Sequence, residues 1–163
     1  MKTLLLLRHA KSSWKRPELA DHDRPLNKRG KRTAPLMGKL LQDEDLIPDL
    51  IICSSAVRTH TTAMLVAEAC AYTGEIKQTR ELYLADPEEY IEVLCQVDEK
   101  HARLLVVGHN PGLEAFIEAL TGEAIMMPTA ALAYIELSIK DWSNLDLKTD
   151  CKLVNVWRPN DLE

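Results

Sequence analysis

The chain has 163 residues, 46% of them apolar and 5% aromatic, and no Pro/Ser/Gly-rich linker, repeat or low-complexity tract divides it. One domain spanning residues 1–163 with a full hydrophobic core is expected. The net charge of −5 hides an asymmetry: residues 1–32 hold ten Lys/Arg against three Asp/Glu, leaving ten against twenty-two for the rest. Such a segment favours an anionic ligand through local potential, whereas an acidic chain with few aromatics and no recognisable module speaks against nucleic acid.

In chain order, Thr3 to Leu7 is a continuous apolar run without alternation, the pattern of a strand buried on both faces. It ends in Arg8-His9, which are either two incidental surface residues or the floor of a site at the carboxyl end of a strand, where open α/β sheets bind ligands. The run is too short for a signal-peptide core or a membrane span, so a cytoplasmic protein is expected. Residues 11–23, which include Trp14 and Pro17, read as a loop over the strand end. Asn27 is a candidate N-cap for a helix with Ala34, Met37 and Leu41 on one stripe, while Pro35 predicts either a bend or a regular helix beginning only near Thr33. Lys28, Arg29, Lys31 and Arg32 read as a solvated helix face.

Leu50 to Cys53 is a second buried run, followed by Ser54-Ser55 as a hydroxyl cap and a helix with Ala63, Val66, Ala67 and Cys70 on one face. Arg58 falls in its first turn, where free amides and the positive dipole end favour an anion. Gly74 is expected to close this helix. A short strand near Ile76 and a helix from Asp86-Pro87 to about Val97 follow. Leu104 to Val107 is the third buried run and leads through Gly108-His109-Asn110-Pro111-Gly112 into a helix with Leu113, Phe116, Ile117 and Leu120 facing inward. Met126 to Thr129 reads as cleft rim or plain connection. Ala130 to Ile139 and Lys152 to Trp157 are strand-like and pair antiparallel around a polar turn region. The expected fold is a three-layer α/β/α sandwich with a mostly parallel central sheet and an antiparallel edge. Cys53, Cys70, Cys95 and Cys151 lie scattered in apolar stretches without a CxxC pair, as buried thiols in a reducing compartment would.

A parallel sheet brings Arg8, His9, Arg58 and His109 to one edge although they are far apart in sequence. Guanidiniums that fork onto phosphoryl oxygens, beside an imidazole that can attack phosphorus, suit phosphoryl transfer. Metal binding is the competing use of two histidines, weakened because arginines and not carboxylates accompany them.

Leu7-Arg8-His9-Ala10-Lys11-Ser12, Asp23-Arg24-Pro25-Leu26 with Gly30, Ser54-Ser55-Ala56-Val57-Arg58 with Thr62-Ala63, and Val107-Gly108-His109-Asn110-Pro111-Gly112 occur in an order that resembles the histidine phosphatase superfamily, which includes the phosphoglycerate mutases. The short length is most similar to its small SixA-type, phosphohistidine-acting branch. The resemblance implies a phosphoglycerate mutase-like fold with His9 as the nucleophile that becomes phosphorylated. Arg8, Arg58 and His109 would form the phosphate pocket, His109 being protonated when the dianion is bound, and Ser12 and Asn110 would add hydrogen bonds. No metal or organic cofactor is implied. Ala10 stands where glycine is usual, and Thr61 where glutamine is common.

The general acid that larger relatives carry has no counterpart in a motif. Glu81, Asp86, Glu88 and Glu89 are available, each more readily read as a surface or capping residue. The implied activity is metal-independent dephosphorylation through a phosphohistidine enzyme intermediate, acting on phosphohistidine in a protein of phosphorelay type. A small-molecule phosphomonoesterase and a non-catalytic phosphate-binding module are the alternatives. The partner is therefore a phosphorylated protein or a small phosphate compound, with neither nucleic acid nor membrane expected. The sequence leaves the oligomeric state open.

Overall fold

Leu4, Leu5, Leu6 and Leu7 are fully buried, because their strand, β1 (Lys2–Arg8), lies inside a six-stranded sheet covered on both faces. The computed structural model describes residues 1–163. After β1 come α1 (Lys28–Asp43), β2 (Leu50–Ser54), α2 (Val57–Ala69), β3 (Ile76–Thr79), α3 (Pro87–Leu94), β4 (Arg103–Gly108), α4 (Gly112–Thr121), β5 (Leu132–Leu137) and β6 (Cys151–Trp157). The strand order is β3-β2-β4-β1-β5-β6. Strands β1 to β4 are mutually parallel, β5 runs against β1, and β6 pairs antiparallel with β5 at the edge.

The two faces of β1 serve different cores. Leu4 and Leu6 pack with Tyr90, Phe116, Ile117 and Trp142 on the side of α3 and α4. Leu5 and Leu7 pack with Met37, Leu41 and Val66 on the side of α1 and α2. A strand apolar at every position is stable only in such a middle layer, since burying each leucine contributes about 2 kcal/mol and a one-sided sheet would forfeit half of them. The β1–β4 register runs from Thr3↔Arg103 to Arg8↔Gly108, so the two strands end at one level.

Local details depart from the sequence expectations at four places. Asn27 does cap α1, its side chain accepting the Gly30 amide at 2.9 Å. The helix nevertheless begins at Lys28 and runs through Pro35, not from Thr33. A proline inside a helix costs roughly 3 kcal/mol, and burying Ala34, Met37 and Leu41 on one continuous stripe offsets it.

Ser54 and Ser55 do not cap α2; its N-cap is Ala56, which makes no side-chain cap bond. Gly74 does not close that helix either. The chain turns at Ala71, in the left-handed region at φ 58°, where the Tyr72 amide reaches back to the Ala67 carbonyl at 2.9 Å, a Schellman-type closure that an alanine adopts here at modest strain. Finally, α3 ends at Leu94 and not near Val97, because the amides that follow reach only three residues back, Gln96 to the Val93 carbonyl at 3.3 Å and Val97 to the Leu94 carbonyl at 3.2 Å. All four cysteines are free thiols, and no helix is long and apolar enough to cross a membrane.

Candidate active site

The carboxyl ends of β1, β2 and β4 converge because β4 lies between the other two. The His9 amide donates to the Gly108 carbonyl at 3.1 Å, which seats His9 beside His109; their ring centroids are 5.3 Å apart. The His9 backbone is fixed from two further directions. Ala130, in the left-handed region at φ 62°, points its amide at the carbonyls of both Arg8 (3.1 Å) and His9 (3.0 Å). The Thr62 hydroxyl accepts the Ala10 amide at 3.0 Å and donates to the Arg58 carbonyl at 2.7 Å. One hydroxyl therefore joins the turn after His9 to the turn that carries Arg58.

His9 is 7% exposed, and its Nδ1 lies 2.8 Å from the Ala10 carbonyl. A carbonyl only accepts, so Nδ1 carries the ring proton and Nε2 keeps its lone pair. Burial, reinforced by Arg58, Arg8 and Arg24, lowers the His9 pKa to about 4 against the pull of Ala10. The imidazole is therefore neutral at pH 7. His109 is held lower still, at about 3, first by burial and then by His9 and Arg58. Its Nε2 lies 2.8 Å from Ser54 Oγ, which accepts the Ala56 amide. Its Nδ1 is buried without a partner in the protein, as is Arg8 Nε.

These groups line a cleft of about 310 Å³ together with Lys11, Ser12, Trp14, Asp21, Arg24, Leu84, Asn110 and Thr129. The lining holds four cations, Arg8, Lys11, Arg24 and Arg58, against the single carboxylate of Asp21. That imbalance in a partly dry site favours a multiply charged anion such as a phosphoryl group. No three His, Cys, Asp or Glu side chains come together as a metal-holding group anywhere in the chain.

Of the residues singled out from sequence, Arg8, His9, Arg58 and His109 all line this cleft, as do Ser12 and Asn110. Ser12 Oγ is taken by Arg24 Nη2 at 2.5 Å, and the Asn110 amide nitrogen by the Met127 carbonyl at 2.9 Å, which also accepts Arg8 Nη1 at 3.1 Å. Glu81, Asp86, Glu88 and Glu89 do not line it. Asp86 and Glu89 form the capping box of α3, and Glu81 and Glu88 are exposed.

Two cleft residues, Asp21 and Arg24, stand outside the set that the sequence pattern singles out. Asp21 accepts Arg58 twice, Nη1 on its backbone carbonyl at 2.6 Å and Nη2 on Oδ2 at 2.9 Å. It also accepts Arg24 Nη1 on Oδ1 at 3.1 Å and the Tyr83 hydroxyl on Oδ2 at 2.5 Å. The Tyr83 bond and then the two arginines hold its carboxyl well below the usual range. Arg24 is 7% exposed and lies under the Trp14 ring, 3.3 Å from its centroid. The signal available in sequence was the spacing Asp21–Arg24 within the loop that follows a candidate site strand.

Residues 4–86 match the profile of the histidine phosphatase superfamily, branch 1. The chain is 30% identical over 88% of its length, and 94% of the other, to ML1117, an uncharacterized protein of Mycobacterium leprae. It is also 30% identical to a protein of Agrobacterium tumefaciens whose crystal structure is provisionally assigned as the phosphohistidine phosphatase SixA; 97% of this chain and 98% of that one superpose at a TM-score of 0.82. The fold is shared with a protein histidine phosphatase SixA complexed with tungstate, at 22% identity and a TM-score of 0.85 over 99% of each chain. With the profile covering half of its residues and a full-length relative at 30% identity, the chain belongs to the histidine phosphatase superfamily.

Proposed function

We propose that the chain works as one domain, a metal-independent phosphatase that removes the phosphoryl group from phosphohistidine in a protein, with His9 as nucleophile. The observation that carries this reading is a neutral His9, its Nε2 lone pair free, among three guanidiniums in a cleft whose one carboxylate is bonded to Arg58 and Arg24. In the first step His9 Nε2 attacks phosphorus, and the bond from phosphorus to the substrate imidazole breaks. With its other ring nitrogen protonated, that imidazole leaves neutral and takes no proton from the enzyme. Arg8 and Arg58 neutralise the transferring oxygens, the role a magnesium ion fills in other phosphoryl-transfer sites.

In the second step water attacks phosphorus, the bond to His9 Nε2 breaks, and the water proton passes to the phosphate released. His9 Nδ1 keeps its proton on the Ala10 carbonyl throughout, so His9 too leaves as neutral imidazole. A bound dianion raises the pKa of His109 and favours its protonated form, whose charge then adds to the pocket. An alkyl ester needs a proton on its leaving oxygen, and Asp21, held ionised by its partners, is poorly suited to give one. This separates the proposal from the small-molecule phosphomonoesterase reading. The latter draws support from the shared fold of a mycobacterial glucosyl-3-phosphoglycerate phosphatase at 16% identity and a TM-score of 0.71.

The test is an activity panel of a phosphohistidine protein, an aryl phosphate and sugar phosphates in the presence of a chelator, with intact-mass detection of phosphoenzyme. Wild type should turn over phosphohistidine fastest and pass through a species heavier by one phosphoryl group; His9→Ala should do neither. Far higher kcat/KM on sugar phosphates would reverse the substrate assignment. Turnover that survives in His9→Ala would remove His9 as nucleophile.

A further inference from the structure

Three large apolar side chains stand out in water where three separate connections meet the site. Trp14, between β1 and α1, is 72% exposed; Leu84, before α3, is 62% exposed; Met126, between α4 and β5, is 78% exposed. Trp14 and Leu84 line the cleft that holds His9. Met126 lines a pocket of about 580 Å³ that shares Arg8 and Asn110 with it. Scattered exposed apolar residues need no explanation, but three around one cleft and the pocket that adjoins it do.

Leu84 is the most informative. Its backbone is in the left-handed region at φ 56°, which a bulky residue occupies only against strain. Glycine or asparagine would relieve that strain, and the leucine side chain gains little from burial here. Trp14 is likewise held in place, stacked over Arg24, and not folded into a core. Two cations beside them have no carboxylate partner: Lys11 in the cleft and Arg158 in the adjoining pocket, whose Nε and Nη2 donate to the Met126 carbonyl at 3.3 and 3.0 Å, take part in none of the chain's ion pairs.

We infer that Trp14, Leu84 and Met126 form the docking surface for a histidine-phosphorylated protein whose phosphoimidazole is flanked by apolar side chains and carboxylates. The inference rests on the phosphohistidine reading of the cleft. Apolar flanks cover the three side chains, and carboxylates meet Lys11 and Arg158 while the phosphoryl group reaches Arg8 and Arg58. A small phosphate ester fills the cationic cleft but leaves the rim wet. Specificity for a protein thus comes from contacts outside the reacting centre.

The experiment uses the full chain, wild type and the double variant Leu84→Asn/Met126→Ser, with three probes: free phosphohistidine, a phosphohistidine peptide with Leu and Glu neighbours, and one with Gly and Ser neighbours. Wild type is expected to prefer the Leu/Glu peptide by about tenfold in kcat/KM, the size of one good interface contact. The variant should lose that preference, a ratio from which any change that the Leu84 substitution makes in the cleft itself cancels, because both peptides present the same phosphoimidazole. Equal rates on both peptides in wild type, or a preference that survives in the variant, would overturn the docking surface alone. Failure of wild type to hydrolyse free phosphohistidine while it hydrolyses an aryl phosphate would overturn the substrate reading, and the docking surface with it.

Discussion

Asp21 grips Arg58 at both ends of one residue: the backbone carbonyl takes Nη1 at 2.6 Å and the carboxylate takes Nη2 at 2.9 Å. A long side chain emerging from the first turn of α2 is thereby reduced to a single pose across the cleft. Asp21 is a positioning residue for Arg58 and, through its other oxygen, for Arg24. Asp21→Asn keeps the backbone contact and loses the charge. It is expected to lower kcat/KM by about tenfold to hundredfold, the usual penalty for a displacement of about 1 Å in a phosphoryl clamp. KM and kcat should both worsen, and Asp21→Glu should recover part of the loss. An Asp21→Asn enzyme with unchanged kinetics on every phosphate substrate would mean that Arg58 needs no anchor.

The two histidines make folding stability depend on pH in a definite direction. Unfolded, each has an ordinary pKa near 6.5; folded, His9 is at about 4 and His109 at about 3. Both folded values are depressed, so the unfolded chain binds more protons between pH 4 and 6.5, and acid favours unfolding there. The stability is fully present above pH 6.5 and declines as pH falls towards the folded values, by up to about 1.4 kcal/mol per pH unit for each histidine. Denaturant midpoints measured from pH 7.5 to 4 should fall accordingly, and His109→Asn should flatten the slope. A slope that is the same in His109→Asn would show that other groups carry it.

Gly30 lies where α1 begins, and a Cβ there would sit 2.2 Å from the Lys11 carbonyl oxygen, a backbone atom that cannot rotate aside. Gly30→Ala must therefore push the chain two residues after His9. Overpacking of this kind costs about 1–3 kcal/mol. Because the Asn27 amide also bonds to the Lys11 carbonyl at 3.0 Å, the shift should be felt in catalysis as well as in Tm. Gly122→Ala is the contrast: its φ of 78° is strained for alanine but nothing lies within 4 Å of the added carbon, so Tm should drop while kcat stays. Loss of kcat in both variants alike would make the Gly30 effect one of general instability.

The buried runs at Thr3–Leu7, Leu50–Cys53 and Leu104–Val107 were legible because a strand covered on both faces leaves no polar position. His9, Arg58 and His109 followed from them, since whatever follows such a strand must surface at the sheet's edge. Asp21 was not legible in the same way. It sits in a 3-10 turn, Asp21–Asp23, in a loop with no periodicity, and its partner is 37 residues away, so only the strand order brings the two together. The ends of α2 were misread for a local reason. Ser54 and Ser55 look like caps, yet their hydroxyls meet His109 and His22, and the one helix-end amide that Ser54 Oγ accepts is that of Ala56, ahead of the first turn. A side chain's preferred local bond yields when a tertiary partner is in reach.

The Thr62 hydroxyl, which links the Ala10 amide to the Arg58 carbonyl, ties the turn after His9 and the turn that carries Arg58 to one sheet and one helix. There is no hinge between them. A site of this build does not close around its substrate as two lobes would, and each turnover must use a geometry that already exists before encounter. For the activity proposed above, the time course then belongs to the visitor: the fraction of collisions in which a phosphoryl group arrives in line with His9 would set the rate of capture.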